Sequence, residues 1–433
     1  MAGLSAAQVL SRRYSSVTVL DRDTLPGDAS PRRGVPQSAH SHILLASGLL
    51  ELSTMFPGLD EELIAAGGVR FDPGLDLCTY RYGRRWSPAP TGLDLISVTR
   101  PQLEALVRAR LAGDPAVAIR DQVAVSGLAG SDGRVTGVVL DTGETLDAAL
   151  VVDCTGRGSR SDRWLTALDV PVPEQEEIKI GVTYATRIYR RRPGELPGWL
   201  AALTLPTPPR EKLVAVALPV EGDRWLVGVG AWHLAEPPTD VETFERFVKM
   251  LPDPIIADLI GRAEPLSDVA AYRFPSSRRR LFGKLDGLPA GYVALGDAIC
   301  SFNPIYGQGM TCAAKEATAL GAALDAHGRE PTVSMARDYY AAADAVIATP
   351  WQFAVGGDFA FPETTGPRPR GIAARNWYAR QISLASQVDP EINRTFTSVQ
   401  QLITPPSVLT RPRFVARVLR MARKRARAGD QVM

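Results

Sequence analysis

Cysteine and histidine are both scarce, four of each among 433 residues. Cys78, Cys154, Cys300 and Cys312 include no C-x-x-C pair, so neither a disulfide framework nor a thiolate zinc site is indicated. Only His40 and His42 stand close together, too few for a histidine metal cluster, and no metal is expected. An excess of one charge is also lacking: 49 basic against 47 acidic residues leave a formal +2, which predicts no dominant polyanionic or polycationic partner. No apolar run reaches the roughly 18 residues of a membrane span. Nothing at the amino terminus reads as a secretory leader, so the expectation is a cytoplasmic protein without a transmembrane segment. Glycine (38) and proline (34) are abundant instead, which predicts many turns and few long helices.

Along the chain, residues 3–14 have helical spacing, and Val17-Thr-Val-Leu20 reads as a short strand ending at Asp21. Helical patterns follow at 43–55, 59–66 and 101–112, with short strands and turns over 69–99. Residues 123–153 read as a β-meander punctuated by Asp132-Gly133 and Thr142-Gly143, both good hairpin turns. The meander closes on Ala149-Leu-Val-Val152, a continuous apolar run typical of a buried parallel strand. Longer strands are expected at 178–188, 213–218 and 225–231, and a helix over 240–262. A second buried strand, Gly291-Tyr-Val-Ala-Leu295, precedes a helix starting near Gly309. Beyond 330 the pattern is helical with proline breaks. The order helix–strand, β layer, strand–helix implies an α/β nucleotide-binding frame interrupted by an insertion with its own sheet.

Two glycine-containing segments carry chemistry. Gly3 opens a small-residue helix and Asp21 ends the next strand. In a dinucleotide-binding unit the glycine lets the helix pack closely, and the acid takes ribose hydroxyls. Taken alone, this pair fits any strand–helix–strand unit equally well. Ala294-Leu-Gly-Asp-Ala-Ile-Cys-Ser-Phe-Asn-Pro-Ile-Tyr-Gly-Gln-Gly309 is more specific. There a buried strand delivers Gly296-Asp297 at its carboxyl end, the usual ligand position in open α/β sheets. Pro304, Gly307, Gln308 and Gly309 then turn into a helix whose free N–H groups suit a phosphate or an electron-rich ring.

This run resembles the GD motif of FAD-dependent aromatic hydroxylases and related single-component flavoprotein monooxygenases, in which the aspartate contacts the ribityl chain. Val151-Val-Asp-Cys-Thr-Gly-Arg-Gly-Ser159 is similar to their DG segment, with Thr155 in the aspartate's place before Gly156. Thr99-Arg100-Pro-Gln-Leu-Glu resembles the helix whose arginine reaches the FAD pyrophosphate. Pro31-Arg-Arg-Gly-Val-Pro-Gln37 and Tyr272-Arg-Phe-Pro-Ser-Ser-Arg-Arg resemble a subgroup that contains polyether epoxidases and dialkyldecalin-forming flavin cyclases. The resemblance, over roughly residues 1–320, implies a Rossmann-like, three-layer FAD-binding frame. Into it is inserted an antiparallel β-sheet substrate domain, and a helical C-terminal region follows. It divides the chain into 1–170 and 276–330 for FAD, 171–275 for substrate and 331–433 for the tail, and it adds Arg22 and Arg33 to the flavin contacts.

The resemblance also implies an opening strand and two further glycines ahead of Ala2-Gly3. A central strand's absence would orphan backbone groups at roughly 1–3 kcal/mol each, so the biological start is expected upstream of Met1. FAD is the expected cofactor, and the neutral Thr155 leaves NAD(P)H open. The implied activity is flavin-hydroperoxide epoxidation or hydroxylation of a large lipophilic, polyketide-like substrate. The alternative is a redox-neutral [4+2] cyclisation, with a degraded, non-catalytic flavoprotein as the lesser one. Tyr184, Thr186, Trp225, Trp232 and His233 are candidate pocket residues, for each of which ordinary core or strand packing is the first reading. His40 and His42 are acid–base candidates or loop hydrogen-bonders. No catalytic nucleophile is expected, because the cofactor carries the chemistry.

Residues 411–427 carry eight basic positions beside an apolar stripe of Phe414, Val415, Val418, Leu419 and Met421. They are read as a terminal helix packed on the body, or as a docking site for an anionic membrane or an acyl-carrier domain. Nucleic acid is not expected, since no recognised module accompanies the run.

Overall fold

The computed structural model describes residues 1–234 and 237–430, the last four by backbone alone. Its first helix, Ala2–Ser11, buries Leu4, Ala6, Ala7, Val9 and Leu10. The small residues let it lie close to the long helix Gly309–Ala326. Gly321 marks the tightest approach, where a Cβ would stand 2.7 Å from a Val9 methyl carbon and 3.0 Å from the Arg13 guanidinium. Gly321→Val is therefore expected to cost roughly 1–3 kcal/mol by overpacking, read as a lowered thermal midpoint.

Two parallel pairs follow the buried β-branched runs. Val17–Leu20 pairs with Val117–Arg120, and Val151–Asp153 pairs with Tyr292–Ala294. The three residues of Tyr292–Ala294 are wholly buried, so this strand sits in the middle of the core. The meander forms as Val125–Ser131, Arg134–Leu140 and Thr145–Asp147. Its first turn is the expected one, with Asp132 at φ 51° and Gly133 at φ 73°, the left-handed pair a two-residue hairpin needs.

The larger sheet has eight strands. From edge to edge they are Cys300–Ser301, Ala270–Arg280, Gln175–Arg190, Arg224–Ala231, Leu213–Val220, Ala201–Thr204, Leu77–Arg81 and Arg84–Arg85. All neighbours are antiparallel except Ala201–Thr204 on Leu77–Arg81. The sheet thus recruits strands from 77–85 and 300–301 as well as from the central segment. The longest strand, Gln175–Arg190, shifts register between Lys179 and Val182, around Gly181 at φ 51°.

Two helical expectations are corrected. The single helix over 240–262 is two, Val241–Lys249 and Ile255–Ile260, because Pro252 and Pro254 interrupt it and Asp253 accepts the Ile255 N–H. Proline breaks were expected in the helical pattern beyond 330, yet Val333–Asp358 runs 26 residues with Pro350 inside it. Its buried face, including Met335, Tyr339, Ile347 and Ala354, outweighs the one hydrogen bond that Pro350 removes.

Helices Ile372–Ser386, Pro390–Gln400 and Pro412–Asp430 close the fold around a separate apolar cluster. In the terminal helix Val418 and Ala422 are buried there, while Phe414 and Met421 pack against it. Arg417 grips Asp389 through two bonds of 2.7 and 2.9 Å. Three of the five stripe residues, Phe414, Val418 and Met421, are thus taken up by the body. Among the described residues no helix is long and apolar enough to cross a membrane.

Candidate functional site

The strand Tyr292–Ala294 ends in a tight turn at Gly296–Ala298. Gly296 sits at φ 69°, where a Cβ would come within 2.9 Å of the Ala2 methyl, so two constraints select glycine. Its N–H donates to Glu316 Oε2 at 2.6 Å. Burial holds the Glu316 carboxyl up at about 8, so at neutral pH it is mostly protonated. Asp297 sits within this turn, half-buried at the cavity wall. Desolvation raises its carboxyl, and the positive charges of Arg100 and Arg157 pull it back down.

The turn continues through Pro304–Tyr306 to Gly307, which adopts φ 67° and hands the chain to the helix beginning at Gly309. Asn303 fixes it from below, accepting the Ile305 N–H at 3.1 Å and donating to Asp358 Oδ1 at 2.7 Å. Asp358, wholly buried, also accepts from Trp232 Nε1 at 2.8 Å, and burial holds its carboxyl up at about 7.

Arg100 opens the helix Arg100–Ala112, whose cap Thr99 accepts the Gln102 N–H at 3.4 Å and is itself held by Glu221. The guanidinium is deeply buried, which lowers its pKa, and Nη1 stands 3.4 Å from His42 Nε2. His42 Nδ1 donates to the His40 carbonyl at 2.9 Å, so its proton lies there and Nε2 faces the arginine as an acceptor. Burial holds His42 at about 3 and His40 at about 4, and both are neutral at pH 7. His40 Nδ1 is 3.0 Å from Thr186 Oγ1, and its ring meets Tyr184 edge-on at 4.6 Å. Tyr184 in turn lies 5.4 Å from Tyr272.

These groups surround one cavity of about 1400 Å³. Gly3, Asp21, Arg22, Arg100, Thr155, Gly156, Asp297, Pro304, Gly307, Gln308, Gly309 and Tyr184 all line it. The cavity runs on between the edges of the two parallel pairs, past Val17, Val19, Val151 and Cys154. Gly296 lies buried just behind the wall. Asp21 is held by Arg32, whose guanidinium also reaches Asp23 and Glu104, at 2.9, 2.9 and 2.7 Å. Arg33 stands exposed outside the cavity. Thr155 turns its hydroxyl onto Asp153 Oδ1 at 2.6 Å.

Three substrate candidates lie elsewhere. Trp225 packs in the second core cluster with its indole N–H on Glu195, and Trp232 stacks on Phe361 at 5.0 Å. His233 borders a smaller pocket of about 270 Å³ with Lys179 and Glu363. Strand alternation alone does not say which face of 178–232 looks inward.

Arg157 escaped the sequence reading. It lines the cavity, donates to Ser301 Oγ at 2.6 Å and Ser276 Oγ at 2.7 Å, and lies over the Phe274 ring at 4.8 Å. Its position directly after Thr155-Gly156, and the Tyr272-Arg-Phe segment it stacks on, were the available signal. Among the described residues, three buried polar atoms of cavity-lining side chains have no partner, Ser41 Oγ, Arg100 Nε and Gln308 Oε1. A donor and an acceptor left open beside a run of small residues fit a long ligand with both anionic and hydrogen-bonding parts.

Protein Rv3254 of Mycobacterium tuberculosis is 33% identical over 464 residues, spanning 100% of this chain and 94% of that protein. PqsL, a probable FAD-dependent monooxygenase from Pseudomonas aeruginosa, superposes with a TM-score of 0.60 at 20% identity, covering 83% of this chain and 95% of that one. The Diels-Alderase PyrE3 of pyrroindomycin biosynthesis also superposes at 0.60, with 18% identity, covering 93% and 79%. No family model matches the chain. The fold is that of the FAD-dependent monooxygenases.

Proposed function

The chain belongs to the same family as Protein Rv3254, and from that premise we propose that it is an FAD-dependent tailoring enzyme. Its substrate is a large lipophilic, polyketide-like molecule, and its reaction epoxidation or hydroxylation, as in the polyether epoxidase subgroup. The observation that carries this reading is the meeting of Arg100, Asp297 and the Gly307–Gly309 helix start around one cavity that retains unpartnered polar atoms.

When bound, FAD supplies electrons and activates dioxygen for attack on an alkene or ring. The protein's own groups bind and orient. Arg100 and the Gly309 helix terminus hold anionic phosphate oxygens, and Asp21 and Asp297 accept from sugar and chain hydroxyls. Tyr184, Tyr272 and Phe274 form an aromatic wall that excludes water from an apolar substrate. His40 and His42, neutral and hydrogen-bonded, shape the loop beside Arg100 rather than carry a proton near pH 7.

A second reading is a redox-neutral cyclase that uses the same cavity to preorganise a polyene, with FAD structural. It is favoured by the PyrE3 likeness and by Thr155, which is neutral and turned onto Asp153 where a carboxylate would handle a nicotinamide. An absorption spectrum with and without NAD(P)H tests both. The monooxygenase gives bound FAD that bleaches with NAD(P)H and consumes oxygen. Bound FAD that never bleaches while a polyene cyclises selects the second reading, and no bound flavin overturns both.

A further inference from the structure

On the far edge of the eight-stranded sheet, the hairpin Leu77–Arg81 to Arg84–Arg85 turns through Tyr82 at φ 52° and Gly83 at φ 82°. Arg81 and Arg84 are directly opposed in its ladder, which puts both side chains on one face. Two further arginines converge on the same turn. Arg380, from the helix Ile372–Ser386, lies 5.6 Å from the centre of the Tyr82 ring, and Arg81 lies 4.9 Å from it. Arg425, from the basic terminal helix, donates to the Tyr82 carbonyl at 2.7 Å and to Gln387 Oε1 at 2.6 Å.

Among the described residues no carboxylate forms an ion pair with any of the four. The acids nearby are engaged. Asp253 is held by Arg85 at 2.8 and 2.9 Å, and Glu211 accepts the Thr207 N–H at 2.8 Å. Opposed like charges are unfavourable in a β-ladder, and four guanidiniums without a counter-charge compound the repulsion. Burial lowers the pKa of Arg425, and the neighbouring charges of Arg84 and Arg380 lower it further.

The cluster is also braced. Arg81 is tied to the Pro206 carbonyl at 3.3 Å, and the Arg81 carbonyl accepts from Gln387 at 2.6 Å. Arg425 is tied as above. Arg84 and Arg380 make no hydrogen bond or ion pair among the described residues, and their forks stay available.

We propose that Arg81, Arg84, Arg380 and Arg425 form a binding site for a soluble phosphate ester. Planar guanidinium forks match phosphate oxygens in pairs, and a group with two or more negative charges satisfies more of them than a carboxylate does. The site goes beyond the flavin reading and does not depend on it. None of the four arginines lines the main cavity, so the site is separate from the one proposed for the flavin.

The test is inorganic pyrophosphate titrated calorimetrically, at fixed ionic strength, into full-length protein already saturated with FAD. Flavin fluorescence reports separately whether the flavin site is filled, so a failed flavin reading is not mistaken for a failed anion site. Arg84→Gln with Arg380→Gln is the variant, since neither residue braces the fold. Arg134→Gln with Arg337→Gln, two exposed arginines elsewhere, is the control of equal charge. Binding weakened at least tenfold in the first pair and unchanged in the second supports the site. Equal affinity in all three proteins, or equal loss in both variants, overturns it. Binding to phosphatidic acid vesicles without binding of pyrophosphate also overturns it, in favour of a lipid surface.

Discussion

Arg100→Ala is expected to weaken FAD binding about a hundredfold, near 2.7 kcal/mol, in a fluorescence titration of the apoprotein. The guanidinium lines the cavity with its buried Nε unpartnered, and the nearby charges of Glu104 and Asp297 offset its burial only in part. A ligand anion supplies what is missing, and charge-assisted bonds in such surroundings are the strong ones. Its removal also leaves Asp297 and Glu104 with less positive charge nearby. Arg100→Lys separates charge from geometry. The lysine keeps the cation but loses the fork, and an intermediate affinity is expected. If alanine binds FAD as tightly as arginine does, the flavin placement proposed for this cavity is wrong.

The second large effect is on stability and pH. Glu316 has a folded pKa near 8, above its ordinary value of 4.5, because the buried carboxyl is better accommodated neutral. A raised pKa means the folded state binds the proton more tightly than the unfolded chain. The associated stability is fully present below pH 4.5 and is lost progressively as pH rises to about 8, by up to about 5 kcal/mol. Asp358, near 7, acts in the same direction between its ordinary 3.8 and 7. Glu316→Gln keeps an acceptor for the Gly296 N–H and has no charge to bury. Chemical denaturation at pH 5 and pH 9 should therefore show the variant gaining on the parent as pH rises. Parallel profiles for the two proteins would mean that Glu316 does not titrate in the fold.

Much of this site could be read in the chain because its logic is local. Gly296 and Gly307 are required by left-handed backbone, and Gly296 also by close approach, within a single strand–turn–helix, and short-range sequence carries that information. Hairpin turns such as Asp132-Gly133 were legible for the same reason. Positions set by long-range packing were not. Arg157 is a site residue only because Ser276, Ser301 and Phe274 arrive beside it from more than a hundred positions away. Trp225 and Trp232 look like pocket aromatics in a strand pattern, yet Glu195 and Asp358 claim their indoles on other faces. Asp358 itself carried no motif. The helix through Pro350 likewise depends on tertiary burial that local propensity does not register.

The parallel seam between Leu77–Arg81 and Ala201–Thr204 has a kinetic consequence. Residue 77 pairs with residue 201, so this edge of the sheet closes only after the intervening chain has been made and largely ordered. Loop closure over such a span precedes any reward from the contact, which makes this seam one of the late events in folding. Until it closes, Ala201–Thr204 presents an apolar edge to other chains, and crowding during synthesis is the moment of greatest risk for this protein.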